Sequence, residues 1–215
     1  MPLSSPAAID RRFFLAAACS AQAGGARAAG TAKVVTILGD SITAGNGLPA
    51  AQALPAQLQS SLRRLGVDAD VRGAGVSGDT TAGGLARVDF SVRPDTSLCI
   101  VELGGNDLLQ GLEPGAARAN LEGIVRRLKA RRIRVVLCGL RAPARLNARY
   151  AREFDAVFPA VARDTRVPLY PDLLAGVEQN AVLNQRDGIH PNPQGVRIIA
   201  ARLAPVVAGA IRSPA

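Results

Sequence analysis

The sequence predicts an α/β fold, a three-layer α/β/α sandwich on a mostly parallel five-stranded sheet, and three observations carry that expectation. Short apolar runs of strand length end at glycines and alternate with longer segments whose leucines recur at helical spacing. The alternation is strict, which implies right-handed crossovers between parallel strands with helices on both faces. A chain of 215 residues, 48% of them hydrophobic, supplies one well-buried core and little for a second.

The N-terminus reads as an address. Arg11-Arg12-Phe13-Phe14-Leu15 precedes an Ala-rich apolar stretch to about Ala23, and Ala26-Arg27-Ala28 has the small-residue spacing of a signal cleavage site. That stretch is too short to span a bilayer. Residues 1–28 are therefore expected to be a twin-arginine-like export signal, giving a periplasmic or secreted product, with 29–215 as a single domain. Asp10 stands where such signals usually carry Ser or Thr. Cys19 makes a poor lipid-acceptor site, because Leu15 lies four residues before it and not three.

Val34 to Leu38 are β-branched and apolar and stop at Gly39, so they read as the first buried strand. Leu54, Leu58, Leu62 and Leu65 share a helical face over about 52–65, with Pro55 in the first turn and Gly66 as the stop. Val67 to Arg72 read as a second strand, near an edge. Gly73 to Thr80 read as a glycine-rich loop before a weaker helix that ends near Arg93-Pro94. Leu98–Leu103 form a third strand. Pro114 opens a helix with Leu121, Ile124, Val125 and Leu128 on one face, and Ile133–Leu137 form a fourth strand. Residues 147–166 read as one helix and Val167–Tyr170 as a fifth strand. The last helix has Asn192 as its cap and Pro193 at its first position, and it buries Val196, Ile199, Ala200, Leu203 and Val206. Five strands suggest the flavodoxin-like order 2-1-3-4-5, which brings the loops after Leu38 and Leu103 face to face at the switch point.

The formal net charge of +9 does not argue for nucleic acid, since aromatics are only 3% and do not interleave with the arginines. The densest basic run, Arg126 to Arg134, falls at a helix end, where cations complement the dipole. Cys99 and Cys138 lie in separate strands. Aligned by Gly104 and Gly139 they are offset by roughly 13 Å, beyond the reach of a disulfide.

The chemistry starts at Gly39-Asp40-Ser41, a hydroxyl on the turn that leaves the first strand, where ligands meet an open α/β sheet. The single histidine, His190, follows Asp187 by three residues in a polar loop bounded by Gly188 and Pro191. A serine nucleophile needs a base, and the base needs a carboxylate to fix its tautomer. Donors for an oxyanion are available at the Ser41 and Gly78 backbone N–H groups and the Asn106 side-chain amide. No metal is expected, because His190 has no second histidine to join it. Asp40, Asp79, Thr80 and Asp107 are expected to brace turns and cap helices.

Gly73-Ala74-Gly75-Val76-Ser77-Gly78 satisfies the dinucleotide pattern G-x-G-x-x-G, but it follows the second strand and not the first, and Asp95 sits beside Pro94 before the next strand and not at a strand's end. A dinucleotide-binding or non-catalytic module is the remote alternative. The blocks Gly39–Ile42, Gly78, Gly104–Asp107 and Asp187–His190 resemble, in order, those of the SGNH or GDSL-like hydrolases. Val76–Thr80 and Asp187–Asn192 are most similar to the bacterial arylesterase, thioesterase I and lysophospholipase L1 type. The resemblance implies the SGNH hydrolase fold and a serine ester hydrolase without cofactor, acting on small-molecule esters, thioesters or lipids. It assigns Ser41 as nucleophile, His190 as base and Asp187 as its partner, with Ser41, Gly78 and Asn106 as oxyanion donors. Gly73 departs from the pattern, where relatives commonly carry Asn. Polysaccharide O-deacetylation is the alternative within the family. Leu108, Leu109 and Leu112, following Asn106, are candidates to line the acyl site.

Overall fold

The computed structural model describes Met1 and residues 32–143 and 146–213; the expected export signal and Cys19 lie outside the described residues. One compact unit spans Thr31–Ala215. Its five strands are all parallel and run in the order β2-β1-β3-β4-β5, with β1 Lys33–Gly39, β2 Ala69–Gly75, β3 Leu98–Glu102, β4 Arg134–Cys138 and β5 Leu169–Tyr170. Val35, Ile37 and Leu38 of β1 and all of β3 are buried, as expected of central strands covered on both faces.

Two strands differ from their predicted bounds by more than one residue at an end. β2 starts at Ala69 and runs on through Gly73–Gly75, which pair with Ile37, Leu38 and Gly39. Gly75 belongs there because a Cβ would collide with the backbone of Asp40 and Ala44 on the neighbouring turn. Gly73 leaves room for Pro55 Cγ, which a Cβ would meet at 2.9 Å. β5 is cut to two residues because Pro168 has no N–H for the ladder, although its carbonyl still accepts from Leu137 N at 2.9 Å.

Three helices lie where the sequence places them, α2 Leu54–Arg64, α3 Thr81–Ser91 and α5 Pro114–Ala130, and two short ones, α1 Ser41–Ala44 and α4 Gly105–Leu109, form where it suggests only turns and a loop. The predicted helix 147–166 is in fact two, α6 Ala148–Asp155 and α7 Val157–Thr165. Pro159 explains the break, since its ring obstructs the carbonyl four residues back, that of Asp155.

The final helix, α8 Pro193–Arg212, is capped as predicted by the Asn192 side chain, which accepts from Gln194 N and Gly195 N. It is long and apolar enough to cross a membrane by composition, yet it packs one face into the core. That face carries Leu203, Ala204, Val207 and Ala208, so Val207 is fully buried and Val206, the residue expected there, only partly. Cys99 pairs in register with Val135, three residues from Cys138, and both thiols are buried and free.

Candidate active site

The carboxyl ends of β1, β2 and β3 deliver three turns to one place. At the end of β1, Asp40 caps α1 by accepting from Ile42 N at 3.0 Å, and Ser41 becomes the first helical residue. Among the described residues its backbone N–H has no partner, as befits the first turn of a helix. After β2, Asp79 N donates to Val76 O at 3.1 Å, closing a turn whose third residue, Gly78, has φ of 82°. A type II turn demands positive φ there, and Gly adopts it without strain. After β3, Gly104 starts α4 and places Asn106 in its first turn.

His190 arrives from a loop far along the chain. Asp187 Oδ1 accepts from Ile189 N at 2.9 Å and His190 N at 3.0 Å, and Asp187 Oδ2 lies 2.7 Å from His190 Nδ1. These bonds hold the Asp187 carboxyl down at about 2, the His190 ring first among them. An ionised carboxylate can only accept, so Nδ1 carries the proton and Nε2 of the neutral ring faces Ser41 Oγ as acceptor, at 2.9 Å. Gln185 fastens this loop to the segment after Ser41 by donating to Asn46 O at 2.8 Å.

The opposite side of Ser41 is a buried polar lattice. Asn106 Nδ2 donates to Asp79 O at 2.8 Å and, more weakly, to Asp40 Oδ2 at 3.2 Å. Asp40 is buried, and desolvation pushes its carboxyl up to about 6 against the pull of Ile42 N–H and of His190. Beneath it Glu102 Oε2 accepts from Thr43 Oγ1 at 2.7 Å and Asp40 N at 3.3 Å. Burial first, and the Asp40 charge second, hold Glu102 well above the ordinary carboxylate range. Asp107 accepts from Thr81 N and Thr81 Oγ1, and Thr80 caps α3, the bracing roles expected of them.

Ser41, His190, Gly78 and Asn106 all border one cleft of about 340 Å³. Leu108 and Leu109 are in its wall, Leu109 being 59% exposed, whereas Leu112 stands outside the lining and its carbonyl accepts from Tyr150 Oη. Leu140, Pro143, Leu174 and Ile189 extend the apolar lining, and Arg141 and Gln179 add polar groups. Sequence reasoning did not pick out these six. Leu140 carried a usable signal, lying just past the glycine that ends β4, where ligands meet such sheets.

A parallel α/β/α sandwich with a serine, histidine and aspartate in hydrogen-bond sequence at its strand ends defines the class as that of the serine hydrolases. Residues 37–198 match the GDSL-like lipase/acylhydrolase family. The chain is 38% identical to esterase TesA of Pseudomonas aeruginosa over 161 residues, 74% of this chain and 80% of that one. It is 36% identical over 173 residues to thioesterase 1/protease 1/lysophospholipase L1 of Escherichia coli, 80% of this chain and 82% of that one. Among solved structures, AlinE4, an SGNH-hydrolase family esterase, superposes with a TM-score of 0.71 at 44% identity, covering 86% of this chain and 99% of its own. The chain belongs to the GDSL-like lipase/acylhydrolase family and is a carboxylic ester hydrolase.

Proposed function

We propose that Ser41 Oγ attacks the carbonyl of an ester or thioester while His190 Nε2 takes its proton. The observation that carries this reading is the unbroken chain from Asp187 through His190 to Ser41, with contacts of 2.7 and 2.9 Å, opening on an apolar cleft. Asp187 keeps the Nδ1–H tautomer and stabilises the imidazolium. The N–H groups of Ser41 and Gly78 and the Asn106 amide receive the oxyanion, Asn106 by giving up its longer bond to Asp40. His190 then protonates the leaving alkoxide or thiolate, and water, activated by the same imidazole, releases the acyl enzyme. No cofactor enters these steps.

The substrate reading is an apolar acyl chain lying against Leu108 and Leu109, as in the esterase and thioesterase names its relatives carry. Each buried methylene contributes up to about 0.8 kcal/mol, so four extra methylenes set a ceiling near 3 kcal/mol, and partial exposure brings the gain to about tenfold. The test is kcat/KM for p-nitrophenyl acetate, butyrate, hexanoate and octanoate on wild type and Leu109→Ser. Medium chains should win and the variant should flatten the profile. Acetate as best substrate, with the same profile in the variant, makes the leucines packing and the protein an O-deacetylase. We also read Arg11-Arg12 and Ala26-Arg27-Ala28 as directing export with removal of 1–28, checked by N-terminal sequencing of protein from the periplasmic fraction.

A further inference from the structure

Arg87, on α3, is the most heavily bonded side chain near the site and touches none of the reacting positions. Its Nε donates to Asp79 Oδ2 at 2.7 Å, Nη1 to Ala74 O at 2.8 Å and Ser91 Oγ at 3.2 Å, and Nη2 to Gly39 O at 2.8 Å. Three of these acceptors belong to the chain segments that carry the oxyanion donors. Gly39 is two residues before Ser41, and its carbonyl also takes Val76 N at 3.1 Å, joining the first two loops. Asp79 follows Gly78, and the carbonyl of Asp79 is what anchors Asn106 Nδ2. Helix α3 admits this packing closely, for a Cβ on Gly83 would collide with Asp79 Oδ1.

We propose that Arg87 is a positioning residue that sets the Ser41 N–H, the Gly78 N–H and the Asn106 amide at their mutual distances, an inference that rests on the serine-hydrolase reading above. The guanidinium is planar and its donors diverge at fixed angles, so one group can hold the ends of β1 and β2 and the Asp79 loop in a single register. A lysine ammonium keeps the charge but cannot hold the same divergent set of acceptors. The Arg87–Asp79 pair is nearly enclosed, with side chains 18% and 10% exposed, so its geometry is not loosened by solvent. The base is held separately, by Asp187 and by Gln185, so loss of Arg87 should misplace the donors and leave proton acceptance intact.

The experiment is timed phosphonylation by a p-nitrophenyl alkylphosphonate, followed by intact mass, on wild type, Arg87→Lys and Arg87→Met, beside steady-state ester hydrolysis. The end point counts folded sites, and the rate constant per labelled site reads how well the oxyanion donors polarise the P=O group. Both variants should lose about 10²-fold in rate constant and in kcat. KM should stay within about threefold, and the pH at which kcat/KM rises should not move. A purely structural role predicts a lower end point with an unchanged rate constant, and that result overturns the proposal. If Arg87→Met does not fold, the rate constant of Arg87→Lys decides in the same way. Wild-type protein that never labels overturns the hydrolase reading and this inference together, whereas labelled wild type with unaltered variants overturns the role of Arg87 alone.

Discussion

Asp187 reaches His190 across three positions of the chain, in a loop where its side chain is 42% exposed. Asn106 reaches Asp79 across 27 positions and Asp40 across 66 in part-buried contacts at the cleft wall, while Glu102 reaches Thr43 across 59 in a fully buried one. One half of the site is thus a local loop laid onto the domain, and the other is part of the domain's packing. If the proposed roles hold, the difference implies that the Asp187–His190 loop can be altered without harm to the fold, whereas changes on the Asn106 side couple chemistry to stability.

Asp187→Asn tests the first half of that comparison and should have the larger effect. The substitution favours the wrong imidazole tautomer and should cost about 10⁴-fold in kcat. Because Asp187 is exposed and its bonds are local, the melting temperature should scarcely shift. A variant that loses stability in proportion to activity would show that the base loop is as integral to the fold as the donor lattice.

Asp40→Asn tests the other half, through pH. Folded Asp40 holds its proton up to about pH 6, above the ordinary 3.8, so folding takes up a proton between those values. The stability that Asp40 gives at pH 4 is lost as pH rises through 6. At about 1.4 kcal/mol per unit, the two units correspond to about 3 kcal/mol. Asp187, held down at about 2, acts in the opposite sense and below this window. The unfolding free energy of Asp40→Asn, measured against wild type by urea titration from pH 4 to 7, should therefore improve by up to that amount. A difference that is independent of pH would mean that Asp40 titrates as an ordinary surface carboxylate.

The same division governs what the sequence discloses. The strands, their order and the Asp187–His190 loop are written in short-range patterns, such as apolar runs stopped by glycine or an aspartate and a histidine within one turn. Gly78 and Asn106 became candidates because they sit in loops after strands and match a family's blocks. Arg87, Glu102 and Thr43 showed no such pattern, since their bonds join segments that meet only when β1, β2 and β3 are side by side. The helix break at Ala156 was legible in Pro159 but masked by the continuous apolar face on either side of it. Leu112 misled because sequence adjacency to Asn106 continued past the end of α4, and the chain turns away there.

The central claim is that Ser41 is the nucleophile of an ester hydrolase whose base is His190, and Ser41→Ala tests it most directly. The measurement is kcat for p-nitrophenyl butyrate, with circular dichroism to show that the fold is retained. Loss of the serine oxygen should lower kcat on the order of 10⁶-fold with an unchanged spectrum. Turnover within tenfold of wild type in folded protein would contradict the account.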